Sequence, residues 1–172
     1  MNSSKYGNGA PVQPTLAWAL RSPARFLAVG LGSGLLRPAP GTWGTLAAWL
    51  LWLLVPLGSS SIGIGVILLL CFIYGCWICQ RTGMDLGVPD HGAMVWDEMV
   101  AFWLVLWLSP AGWWAQLCAF LLFRLFDIVK PAPIRQLDAH FKNGFGVMLD
   151  DLLAAGYTLI VMLLLGWIGL FG

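Results

Sequence analysis

The run 113-WWAQLCAFLLFRLFDIVKPAPIRQL-137 starts as an apolar helix and finishes on charge. Trp113 to Phe123 contains no charged residue, then Arg124, Asp127 and Lys130 follow at intervals of three. That spacing predicts one helical face shared by all three. Pro131 and Pro133 then stop the helix, because proline has no N–H to donate and clashes with the preceding turn. A helix that is greasy along its length and charged at its last turns has its two ends in different surroundings.

The rest of the 172-residue chain follows the same pattern. Apolar residues make up 59%, charged residues 10%, and mean hydropathy is +0.81. A water-soluble domain carries about 25% charged residues, so this chain reads as an integral membrane protein. Eleven tryptophans agree, since Trp gathers at membrane interfaces. A net charge of +1 offers nothing to nucleic acid. Cys71, Cys76, Cys79 and Cys118 all lie inside apolar runs and read as small core residues, including the Cys76/Cys79 pair. The opening 15 residues are polar and rich in Pro and Gly, with no apolar stretch behind a basic start, so they do not read as a signal peptide.

Five apolar segments stand out: Thr45–Leu57, Ile62–Cys79, Met99–Leu108, Trp113–Phe123 and Leu152–Phe171. A full span takes about 20 residues. The second and fifth qualify alone; the others approach it only if flanking residues are helical. All seventeen charged residues fall in Met1–Gly44, Gln80–Glu98 or Arg124–Asp151. Five alternating spans put every one of them on one side, and the bias of Lys and Arg toward the cytoplasm makes that side cytoplasmic. The expectation is an all-α, polytopic membrane bundle of about five apolar helices with its polar site at the cytoplasmic face. It comprises a flexible tail, residues 1–14, and one domain, residues 15–172. Residues 15–36, with Arg21, Arg25 and nearby Arg37, read as a basic amphipathic helix on the membrane surface.

Four polar clusters occupy the charged side. In 38-PAPGTWGT-45, small residues at a helix start let backbone N–H groups reach an anion, which makes Gly41 and Thr42 candidate phosphate contacts; a tight loop leading into a helix is the plain alternative. In 90-DHGAMVWDE-98, Asp97 and Glu98 open an apolar run; offsetting a helix dipole is the bland explanation. The third cluster is Arg124, Asp127 and Lys130, where an ion pair anchoring a helix end is the plain alternative. The fourth, 140-HFKNGFGVMLDDLLAAG-156, sets Asp150 and Asp151 at the start of the last run, where capping is the plain alternative. Together they bring five carboxylates to one face. Carboxylates that close repel unless neutralised. A hard divalent cation such as Mg²⁺ does so through oxygen ligands while keeping waters and substrate phosphate, so Asp97, Glu98, Asp127, Asp150 and Asp151 are candidate metal ligands. Arg124, Lys130 and Arg135 are candidate phosphate holders, with Asp127, Asp150 and Lys130 at the chemistry and His140 a candidate proton donor.

No Cys is followed by Arg at the spacing of a C-x5-R nucleophile, and D-x-D is absent. The chemistry implied is metal-assisted phosphoryl transfer with water as nucleophile. A small transporter or channel is the rival class, though its pathway charges would sit within a span. A non-catalytic scaffold and a phospholipid phosphotransferase are further alternatives.

The stretches 38-PAPGTWGT-45, 95-VWDEMV-100, 123-FRLFDIVKPAPI-134 and 144-GFGVMLDDLLAAG-156, in that order, resemble the phosphatidylglycerophosphatase A family. The resemblance runs from about Gly32 to about Gly156. It implies a Mg²⁺-dependent phosphatase of the bacterial inner membrane, an all-helical bundle, and removal of the terminal phosphate of phosphatidylglycerophosphate to give phosphatidylglycerol. The family's acidic residues match Asp97, Glu98, Asp127, Asp150 and Asp151, and its basic pair matches Arg124 and Lys130. Ala101 departs from the pattern, which has glycine there.

Overall fold

The computed structural model describes residues 12–54 and 60–171, and these contain helices and no strand. The expected ends at Pro56 and Leu57, and most of the expected tail, lie outside the described residues. Eight α-helices follow in order: α1 Leu16–Ala19, α2 Pro23–Ala28, α3 Pro40–Leu54, α4 Ser61–Leu86, α5 Trp96–Leu108, α6 Trp113–Val129, α7 Ile134–His140 and α8 Gly144–Trp167. A 3-10 stretch, Gly30–Leu35, joins α2 to α3.

Each of the five apolar segments yields one long helix, bounded by local chemistry. Ser60 caps α4 by accepting from the Gly63 amide at 3.3 Å, and Gly87, at φ 80°, closes it in the left-handed conformation that glycine adopts without steric cost. Asn143 caps α8 by accepting from the Gly146 amide at 2.8 Å. Ser109, ahead of Pro110, ends α5.

The surface helix expected over residues 15–36 does not form as one element. Pro23 starts a new helix, and Leu31 and Gly32 adopt φ of 58° and 100°, which breaks any continuous α-helix there. The pieces are docked instead: Arg25 Nε donates to Asp85 Oδ2 at 2.9 Å, and the Val95 amide donates to the Ala28 carbonyl at 2.9 Å.

α8 packs against α4, α5, α6 and α7, and α3 packs against α5. The main core lies among α3, α5, α6 and α8, built on Phe102 and Phe123, both fully buried with ring centres 5.6 Å apart. The start of α8 meets the end of α4, where the Gly144 amide donates to Gln80 Oε1 at 2.9 Å. The starts of α3 and α5 meet the end of α6. Thus α4 and α6 run opposite to α3, α5 and α8, and one end of the bundle collects the charged residues.

Length separates these helices. α4 and α8 are long and apolar enough to cross a membrane. α3, α5 and α6, with 15, 13 and 17 residues, reach about 20–26 Å at ~1.5 Å per residue, short of a ~30 Å hydrocarbon core. Two helices of crossing length are therefore seen among the described residues, not five. Ala101, the family departure, is buried in the main core and accommodated there.

Candidate active site

The charged end is built from four elements. Asp97 and Glu98 occupy the first turn of α5. Arg124 and Asp127 occupy the last turns of α6, and Asp150 and Asp151 lie in the second turn of α8. Gly41 and Thr45 belong to the first turns of α3. Asp97, Asp150 and Asp151 are only 5%, 5% and 4% exposed, deep burial for carboxylates. Their charges are mutually felt: Asp151 lies within electrostatic reach of Asp127, Asp97, Asp150 and Glu98.

Arg124 is the organising cation. Its Nη1 lies 2.6 Å from Asp127 Oδ2 and 3.1 Å from Glu98 Oε2, and donates to Thr45 Oγ1 at 3.4 Å. Thr45 in turn donates to the Gly41 carbonyl at 2.9 Å, which fixes the hydroxyl. One guanidinium thereby ties α6 to α5 and α3. The Glu98 contact is an ion pair without hydrogen-bond geometry, and Glu98 Oε2 is buried with no hydrogen-bond partner. Gly41 touches this carboxylate directly: a Cβ there would come 2.0 Å from Glu98 Oε1. The role of Gly41 is thus to leave room for Glu98. The amides of Thr42 and Trp43 are taken by the Ala39 carbonyl at 3.0 and 3.3 Å.

Lys130 departs from the expected shared face. It is the C-cap of α6 with φ 45°, so the helical spacing that would align it with Arg124 and Asp127 ends before it. Its ammonium instead donates to Asp150 Oδ2 and, at 3.2 Å, to Asp138 Oδ2. Lys142 Nζ donates to the other Asp138 oxygen at 2.9 Å. Burial disfavours the Lys130 charge, yet Asp150 and Asp138 outweigh it and hold its pKa above the ordinary lysine value. Burial also opposes the Asp138 charge, but Lys142 and Lys130 outweigh it and hold that carboxyl below its ordinary value.

The structure brings together Asp97, Glu98, Asp127, Asp150, Asp151, Arg124, Lys130 and Gly41. Arg135 is exposed on α7, and His140 is exposed at its end, edge-on to Phe141 at 4.9 Å. Among the described residues no hydrogen bond or ion pair joins either to the carboxylates. Thr45 and Asp138 escaped the sequence reading. Asp138 had one signal, its place four residues before Lys142; Thr45 had one as the last residue of the polar stretch 38-PAPGTWGT-45, where only Gly41 and Thr42 were singled out.

Among the described residues no three Asp, Glu, His or Cys side chains form a ready-made metal cage. The donor set still fits a hard cation. It is all oxygen, five carboxylates face two nearby cations, and Glu98 Oε2 is buried without a hydrogen-bond partner. This suits an ion that keeps part of its water shell, as Mg²⁺ does, rather than one enclosed by protein.

Fold and site define an all-α protein with two helices of membrane-crossing length and an acidic cluster only partly neutralised by Arg124 and Lys130 at the shared end of its helices. The phosphatidylglycerophosphatase A family model matches residues 26–166. The chain is 50% identical over 148 residues to phosphatidylglycerophosphatase A of Haemophilus influenzae, covering 84% of this chain and 89% of that one. It is 37% identical over 151 residues to phosphatidylglycerophosphatase A of Escherichia coli, covering 86% of each. It is also 36% identical over 149 residues to a Bacteroides thetaiotaomicron protein provisionally named a phosphatidylinositol-3-phosphatase, covering 83% of this chain and 92% of that one. No solved structure matches the chain. This chain belongs to the phosphatidylglycerophosphatase A family.

Proposed function

We propose that this chain is a Mg²⁺-dependent phosphatase of the bacterial inner membrane. It hydrolyses the terminal phosphate monoester of phosphatidylglycerophosphate to phosphatidylglycerol and inorganic phosphate, with its site facing the cytoplasm. The observation that carries the chemistry is the buried cluster itself, in which Arg124 and Lys130 lie among carboxylates too numerous for them to neutralise. Family membership supplies the substrate.

In this reading Asp97, Glu98, Asp127, Asp150 and Asp151 are the residues that would hold Mg²⁺. The ion supplies charge neutralisation on the phosphate oxygens and lowers the pKa of bound water. Arg124 and Lys130 bind and orient the phosphate, each kept charged by its carboxylate partners. Asp127 and Thr45 hold the guanidinium in place, and Gly41 leaves Glu98 its position. The oxygen of water bonds to phosphorus and gives up one proton to the surrounding solvent as the bond to the glycerol oxygen breaks, and the departing alkoxide takes up a proton. His140, at the exposed rim, is the candidate donor.

Membrane placement draws support from the apolar surface of α4 and α8, where Ile62, Leu163 and Trp167 are 81%, 75% and 87% exposed. On α4, Ile62, Val66, Leu69, Ile73 and Trp77 are all exposed at helical spacing, an apolar stripe of the kind that faces a membrane or protein partner. The absence of charge from the middle of either long helix speaks against an ion pathway.

The test is phosphate release by purified protein in detergent from phosphatidylglycerophosphate, phosphatidic acid and phosphatidylinositol 3-phosphate, each with Mg²⁺ and with chelator. Mg²⁺-dependent release from the first, abolished in folded Asp127→Asn and Asp150→Asn variants, is expected. Full activity in both variants, or release that ignores the chelator, would refute the metal site. Preference for the inositol lipid would keep the chemistry and change the substrate.

A further inference from the structure

We propose that Asp138 is a positioning residue that holds the ammonium groups of Lys130 and Lys142 side by side, as a cradle for a phosphate monoester at the mouth of the acidic cluster. The proposal rests on the phosphatase reading and extends it to two residues outside the family stretches, Asp138 and Lys142. Its basis is the way one carboxylate is shared. Oδ2 of Asp138 takes Lys130 at 3.2 Å and Oδ1 takes Lys142 at 2.9 Å, so the two cations sit on the two oxygens of one group. Side-chain exposure rises along the chain of contacts, from 6% at Asp150 through 25% at Lys130 and 28% at Asp138 to 42% at Lys142. The sequence of charges therefore leads from solvent to the buried carboxylates.

Asp138 is needed because of how Lys130 is presented. The left-handed turn at the end of α6 sends the lysine toward α8, where the buried Asp150 already binds it. An ammonium has three donors. Asp138 engages one of them and draws the group outward, against the pull of Asp150. It also anchors Lys142, which lies beyond the last residue of α7. A phosphate monoester carries three oxygens and close to two negative charges, so it can span both ammonium groups. Lysine binds it as a point charge on a flexible stem, and its placement must come from a partner.

The test uses the full chain in mixed micelles with phosphatidylglycerophosphate, alongside calorimetric titration with inorganic phosphate. Asp138→Asn is expected to raise KM about tenfold while kcat stays within about twofold, and Asp138→Glu to recover most of the loss. Lys142→Gln is expected to match it, and the double variant to be no worse than either single one, since the two residues act as one unit. Additive losses, a fall in kcat with KM unchanged, or a lower KM in Asp138→Asn would overturn the proposal. A wild type that releases no phosphate from the lipid refutes the phosphatase reading instead. The titration then stands alone: about tenfold weaker phosphate binding in Asp138→Asn supports the cradle, and unchanged binding refutes it.

Discussion

Gly41 leaves open the space that the Glu98 carboxylate fills, and this is the tightest steric relation in the site. Adding one methyl group tests it. Gly41→Ala puts a Cβ 2.0 Å from Glu98 Oε1, so the carboxylate must turn away and release its ion pair with Arg124. Alanine suits a helix better than glycine, so the fold should survive. The expected result is a loss of phosphate release of about a hundredfold, the scale of a displacement near 1 Å at a catalytic group, with an unchanged circular dichroism spectrum. Near-normal activity would show that Glu98 can be moved without consequence. Arg124 and Asp127 illustrate the opposite case, since their three-residue spacing forecast their 2.6 Å contact. The same spacing misled at Lys130, because the forecast assumed helix where the backbone turns left-handed ahead of Pro131.

Among the elements, α8 carries the most. It bears Asp150 and Asp151 in its second turn and packs against four other helices. Its close approach to α4 depends on Gly144, where a Cβ would meet the Cys76 carbonyl oxygen at 2.0 Å and the Gln80 amide nitrogen at 2.5 Å. Both are backbone atoms of α4 and cannot swing aside. Gly144→Ala must push the two helices apart, at a cost of about 1–3 kcal/mol, the usual scale of overpacking. Thermal unfolding in detergent should show a lowered midpoint; an unchanged one would mean that the helix start rearranges freely. The N-terminal elements show where periodicity has limits. The apolar and basic pattern of residues 15–36 suited one helix, but Pro23 and the Leu31–Gly32 turn divide it, and contacts with Asp85 and Val95 decide where its parts dock.

Seen whole, the molecule sorts its charge by position along one axis. The proposed orientation predicts that Arg135→Cys, at the charged end, is protected from a membrane-impermeant maleimide in intact cells and labelled after lysis. Ala111→Cys, in the α5–α6 connection, should be labelled in both. The reverse pattern would invert the orientation, and equal protection of both positions would exclude a membrane-crossing arrangement of α5 and α6. Two long helices and three shorter ones make a bundle of uneven depth, and their common feature is the end that collects the carboxylates.

The sequence alone determined the all-α class, the five apolar helices and the charged face, while α4, α6 and α8 extend past the apolar runs into the charged stretches. Each follows from local rules: hydrophobic runs, proline stops, caps, and the cost of placing charge in an apolar medium. Motif resemblance added the family and the substrate it implies, and matched the same five carboxylates that the charge clusters had already singled out. Only the tertiary structure decided which groups meet. It paired Lys130 with Asp150 and Asp138, set Thr45 behind Arg124, and placed Gly41 against Glu98. These contacts join residues distant in the chain. They depend on how far each helix slides along its neighbours and on one left-handed turn, and such quantities follow from the packing of the whole bundle rather than from any one segment's composition.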